Sequence, residues 1–201
     1  MRAQWIVSAA LLALCGCTAM NELRATGAVS QHASTVKHAT IIETAPSALY
    51  DPGAARGTPM RLGAHWTSAA PQSVTLVLSY QSTVSSDAPT VPRFDAMQIS
   101  IDGQMSSFPA SEPSDLSSGF DNSMSHTTYA SSRGEVSIPY AVLQRMVAAK
   151  DCWLRAGDQD ARFSTEHLPD GKPTAIVSIR EFMTKVDAAR TSTSGTPQRA
   201  G

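Results

Sequence analysis

Cysteine is scarce, with three in 201 residues. Cys15 and Cys17 stand together near the N-terminus, and only Cys152 lies in the body of the chain. That leaves no pair from which to build a disulfide framework. Charge is also thin: 16% of residues are charged and the formal net charge is -1. No basic stripe stands out, which argues against nucleic acid as a partner. Aromatic residues make up 6% of the chain. No apolar run approaches the ~20 residues that a membrane-spanning helix needs. Motif chemistry is equally sparse. There is no G-x-S-x-G elbow, no H-E-x-x-H, no C-x-x-C, no Walker A and no G-x-G-x-x-G. No cofactor or metal is therefore expected.

What is present begins at the N-terminus. Arg2 supplies a positive charge, and Ile6 to Leu14 (IVSAALLAL) forms a short apolar run followed by small residues. Those three zones are the pattern of a secretory signal peptide. The residues that close the run, Leu14-Cys15-Gly16-Cys17, resemble the lipobox of bacterial lipoproteins. Cys15 departs from the Ala or Ser more usual at its place. The competing frame, ending at Cys15, would put the bulky Leu14 just before the acceptor. The resemblance covers residues 1–17. It implies cleavage between Gly16 and Cys17 and lipid attachment at Cys17. The protein would then sit in the cell envelope. Thr18, rather than Asp, after the acceptor points to the outer membrane, facing the periplasm. Several acyl chains would hold it stably, since each buried CH₂ contributes about 0.8 kcal/mol.

The remaining chain divides by composition. Residues 1–16 are read as signal peptide, 17–35 as lipidated Cys and flexible tether, 36–189 as one β-rich globular domain, and 190–201 as a disordered tail. An 18-residue tether (Thr18 to Thr35) would place the domain about 20–25 Å from the membrane. A hydrophobic content of 42% supports a packed core.

Period-2 patterning dominates the domain. Met60, Leu62, Ala64 and Trp66 alternate with polar neighbours, as do Val74, Leu76, Leu78 and Tyr80 across a short link. Such a pair is an antiparallel hairpin with one buried face. Met97, Ile99 and Ile101 repeat the pattern and run into Asp102-Gly103, a type I′ turn signal. Residues 46–59, 82–92 and 108–125 are read as loops. Strands are expected at 36–44, 126–132, 135–138, 152–156 and 161–165. Pro139 opens a helix ending near Lys150, and Ala175, Ile179, Phe182 and Val186 form the stripe of a second, ending near Asp187. The fold class expected is mainly β: an antiparallel sandwich or open barrel with one short internal helix and one C-terminal helix.

Candidate functional residues are few. Cys152 with His65, His126 or His167 is a conceivable nucleophile pair, but Cys152 on a strand beside Leu154 reads as core. Asp158-Gln159-Asp160 lacks the spacing of a calcium loop and reads as a hairpin turn. Trp66 and Phe163 read as core. Trp153 is opposite in phase to Cys152 and Leu154, so it lies either on the sheet's second face under a helix or exposed. It is the best candidate of the three for a contact residue, although packing is the favoured reading for it too. The expected function is a non-catalytic, lipid-anchored binding module. Its partners would be the membrane, through the lipid, and an envelope protein or glycan. The alternative is an envelope hydrolase with a Ser or Cys nucleophile assembled from distant residues.

Overall fold

The computed structural model describes residues 27–34, 38–53, 60–84, 92–122 and 127–194. Its strands are β1 (Val29–Ser34), β2 (Ala39–Ala48), β3 (Arg61–Thr67), β4 (Ser73–Val84), β5 (Ala96–Ile101), β6 (Gln104–Pro109), β7 (Asp115–Asn122), β8 (Thr127–Pro139), β9 (Cys152–Ala156) and β10 (Gln159–Arg162). Helix α1 (Tyr140–Ala148) follows β8, and α2 (Ala175–Ser194) follows β10. Two antiparallel sheets result, ordered β1-β2-β3-β4-β8-β7 and β10-β9-β5-β6. The described residues form a sandwich rather than a closed barrel.

The core is built where the alternation is cleanest. Leu62, Ala64 and Trp66 of β3, Val74, Leu76 and Leu78 of β4, and Val136 and Ile138 of β8 are all buried. They face Met97, Ile99, Cys152 and Leu154 from the small sheet. Helix α2 covers β2 and β3 on the same side of the large sheet, burying Ala175, Ile179, Phe182 and Val186. The Ser47 and Ser178 hydroxyls hydrogen-bond at 3.0 Å within that contact.

Single backbone bridges lace both edges of the small sheet to the large one. Arg162 N donates to Tyr50 O at 2.7 Å on the β10 side. Ala110 bridges to Val136 beyond the end of β6. One face of the small sheet is therefore pressed on the core while the other looks outward. Gly134 is needed for that closeness, since a Cβ there would come within 2.6 Å of the buried Phe94 Cβ. The Asp102-Gly103 turn has φ of 47° and 87°, as a type I′ hairpin requires.

Several boundaries differ from the sequence reading. The strands expected at 126–132 and 135–138 are one continuous β8, paired with β4 straight through Arg133 and Gly134. Strand β4 runs to Val84, into the stretch 82–92 read as loop. The strand expected at 161–165 is Gln159–Arg162. Residues 29–34, read as tether, are β1, paired with β2 from Val29↔Thr44 to Ser34↔Ala39. Strand β2 runs on through Pro46 to Ala48, and its register shifts between Thr44 and Ser47. A bulge accommodates a residue that cannot donate to a ladder. The stretch 108–125, read as loop, contains the end of β6 and all of β7. Helix α2 passes Asp187 and continues to Ser194, so much of the tail read from residue 190 is helical.

Candidate functional site

Strand β9 alternates cleanly. Cys152, Leu154 and Ala156 point into the core, while Trp153 and Arg155 point outward. Strand pairing then fixes what stands beside them. Ser100 of β5 is registered with Met105 of β6 on one side and Trp153 on the other. Trp153 is registered in turn with Arg162 of β10. The parallel row is Ser107, Gln98, Arg155 and Asp160. Two rows of side chains thus cross the outer face of the small sheet, about 7 Å apart along the strands. Between them lies a shallow hollow of about 270 Å³, lined by Gln98, Ser100, Met105, Trp153, Arg155 and Asp160.

The charged groups on this face are held among themselves. Arg155 grips Asp160 in a bidentate pair, Nε to Oδ1 at 2.6 Å and Nη2 to Oδ2 at 2.7 Å. That hydrogen bonding holds the Asp160 carboxyl below the usual carboxylate range and raises the Arg155 guanidinium above its own. Asp151, just before β9, accepts from Trp153 Nε1 at 3.0 Å and from Arg162 Nη2 at 2.9 Å. The Arg162 guanidinium lies 5.7 Å from the Trp153 ring centroid, within cation–π range. It comes from the β10 side, whereas the hollow is on the β5 side. Trp153 is half-buried, with its N–H held by Asp151 and Arg162 beside its ring, and it lines the hollow. Met105 forms the opposite wall and is 64% exposed.

Several sequence candidates fall elsewhere. Leu14, Cys15, Gly16 and Cys17 lie outside the described residues, as does His126. Trp66 and Phe163 are core residues, 1% and 0% exposed; Trp66 Nε1 donates to Pro71 O. Cys152 is fully buried, and burial, helped by the Asp151 and Asp102 charges, pushes its thiol up to about 12. A nucleophilic cysteine needs the opposite shift. His65 sits on the outward face of the large sheet, its Nδ1 3.2 Å from Glu43 Oε1. His167 is exposed in the loop bridged to Pro173. Of the Asp158-Gln159-Asp160 stretch read as a turn, Gln159 and Asp160 belong to β10, and Asp160 is paired with Arg155. Among the described residues no group of three or more His, Cys, Asp or Glu converges in a metal-binding arrangement. No described helix is long and apolar enough to cross a membrane.

Trp153 is thus the one sequence candidate that the fold brings into a constellation. Gln98, Ser100 and Met105 had a usable signal: a two-residue turn at Asp102-Gly103 sets Ser100 opposite Met105. Arg155, Asp160 and Arg162 stand beside Trp153 through the local β9–β10 hairpin. What sets that hairpin against Gln98 and Ser100 is the β5–β9 pairing, which spans some fifty residues of chain and leaves no local signal. The chain matches no protein-family model, and no curated protein is significantly similar to it.

Proposed function

We propose that this chain is a lipid-anchored cell-envelope protein that acts by binding, with the outer face of the small sheet as its recognition surface. The anchor reading rests on Leu14-Cys15-Gly16-Cys17, with Cys17 as the acylated residue. The chain is docked on the domain from Gly27 onward, where its carbonyl accepts from Thr44 Oγ1. The tether is then shorter than the 17–35 of the sequence reading, because residues 29–34 form β1. The partner is met close to the membrane surface, most simply on the periplasmic side of the outer membrane.

The observation that carries the binding reading is the pairing of Trp153 with Met105 across Ser100. An aromatic ring is held by Asp151 and Arg162, and a well-exposed methionine lines the same hollow on the other side of Ser100. Orienting a large side chain in advance lowers the entropic cost of binding. Binding is favoured over hydrolysis because Cys152 is buried and protonated while His65 is engaged by Glu43.

Two measurements test the proposal. Replacing Cys17 by Ser abolishes incorporation of labelled palmitate; continued labelling defeats the anchor. Met105 is slower to oxidise to its sulfoxide in intact envelopes than in the purified protein. Equal rates defeat the recognition surface.

A further inference from the structure

We infer that the ligand of this face is an uncharged saccharide, lying as a chain of rings across the strands; the inference rests on the recognition surface proposed above. The first argument is charge. Arg155 and Asp160 line the hollow, Asp151 and Arg162 lie beyond Trp153, and the four close into two pairs within the sheet. Binding a phosphate or a carboxylate would mean competing with the bidentate Arg155–Asp160 pair. A cationic ligand meets the same obstacle from the other side.

The second argument is hydrogen-bonding capacity. An arginine carries five N–H donors and a carboxylate about four acceptor sites. The Arg155–Asp160 pair uses two of each. Gln98 and Ser100 line the same hollow and add amide and hydroxyl groups to that capacity. The face is therefore neutral as a charge but rich in oriented donors and acceptors. Neutral hydroxyl groups match that combination.

The third argument is shape. Trp153 donates its N–H to Asp151, has the Arg162 guanidinium beside its ring, and lines the hollow with an aromatic wall. The C–H face of a sugar ring packs against such a wall, and Met105 supplies an adaptable apolar contact opposite. At about 270 Å³ and open to solvent, the hollow does not enclose a ligand. Small-molecule pockets run from about 300 Å³ upward and bury most of their occupant. A ligand that rests on the surface and continues beyond it suits this geometry. Four strands span about 14 Å, which sets the length of the contact.

The test uses the full chain in a zwitterionic detergent free of sugar. It is titrated with uncharged cello- and chito-oligosaccharides, with an acidic oligogalacturonate, and with inorganic phosphate. Calorimetry and tryptophan emission report binding. The uncharged oligosaccharides bind saturably, and affinity changes less than about twofold as salt rises from about 0.05 to 0.5 M. Trp153→Ala weakens binding by about tenfold or more, and Trp153→Phe restores most of it. Met105→Glu, at an exposed position that the fold does not need, also weakens it. Binding confined to the acidic sugar or to phosphate overturns the inference. So does uncharged-sugar binding that survives both Trp153→Ala and Met105→Glu. If no sugar binds while Met105 stays protected in envelopes, the saccharide is wrong and the partner is a protein or other molecule on the same face. If Met105 is unprotected as well, the recognition surface falls too.

Discussion

Arg162 holds its guanidinium 5.7 Å from the Trp153 ring, and the two residues are register partners across β9 and β10. Asp151 accepts hydrogen bonds from both. An indole on a solvent-facing sheet would ordinarily sample several rotamers. Here a cation and an acceptor select one, so the wall of the hollow is formed before any ligand arrives.

Asp151→Ala should therefore loosen the ring more than it destabilises the fold. Asp151 and Arg162 side chains are 51% and 40% exposed, so the ion pair contributes at most about 1 kcal/mol. For a chain of this size that is a Tm change of about 2–4 °C or less. Time-resolved anisotropy should show faster local motion of Trp153 against the buried Trp66. An unchanged decay would mean that Asp151 does not hold the ring.

Tyr140 is the clasp between the two helices. Its hydroxyl donates to Asp187 Oδ1 at 2.9 Å, and Arg190 lies 4.5 Å from its ring centroid. Burial first, and then Asp187, raises the phenol above its ordinary range. A raised folded value means stability that is intact below the unfolded pKa, about 10, and lost as pH climbs above it. Tyr140→Phe should lose about 1 kcal/mol at neutral pH and flatten the decline in Tm above pH ~10. A variant that declines as steeply as the parent would rule Tyr140 out as its source.

Cys152 gives a probe of unfolding. Its thiol is buried and raised to about 12, so almost no thiolate exists in the folded state near neutrality. Alkylation by iodoacetamide at about pH 8 should be negligible in the folded protein. In denaturant it should approach the rate of a free thiol with pKa ~8.5. Rapid labelling of the folded chain would reopen the cysteine-nucleophile reading.

How legible was this fold? The core strands were, because Met60 to Trp66, Val74 to Tyr80 and Met97 to Ile101 each bury one face, while the alternate residues, Gly63 and Val77 apart, are partly exposed. The edges were not. In β1, His32 is exposed and Val29 and Ser30 are only half-buried. Strand β7 exposes Asp115, Leu116 and Ser117. Edge strands carry little hydrophobic alternation, so they read as tether and loop. The end of α2 was hidden for another reason. Its final residues, Thr191-Ser192-Thr193-Ser194, are weak helix formers. The Thr191 and Ser192 hydroxyls donate to the carbonyls of Asp187 and Ala188 at 2.9 Å, four residues back. That local bonding lets a polar tail continue the helix. The site divides the same way. The outward phase of Trp153 was visible in its neighbours Cys152 and Leu154. Its company was not, since Arg155 and Arg162 join Gln98 and Ser100 only through long-range pairing.

The most direct test is the oxidation rate of Met105 under dilute peroxide, read by mass spectrometry. It is compared between intact envelopes and the purified full chain, with the half-buried Met183 of α2 as internal reference. A recognition surface occupied in the envelope predicts that Met105 is protected at least about fivefold relative to Met183. It also predicts that Ser100→Lys, which places a charge between Met105 and Trp153, removes the protection. Equal Met105 rates in envelopes and in solution would contradict it.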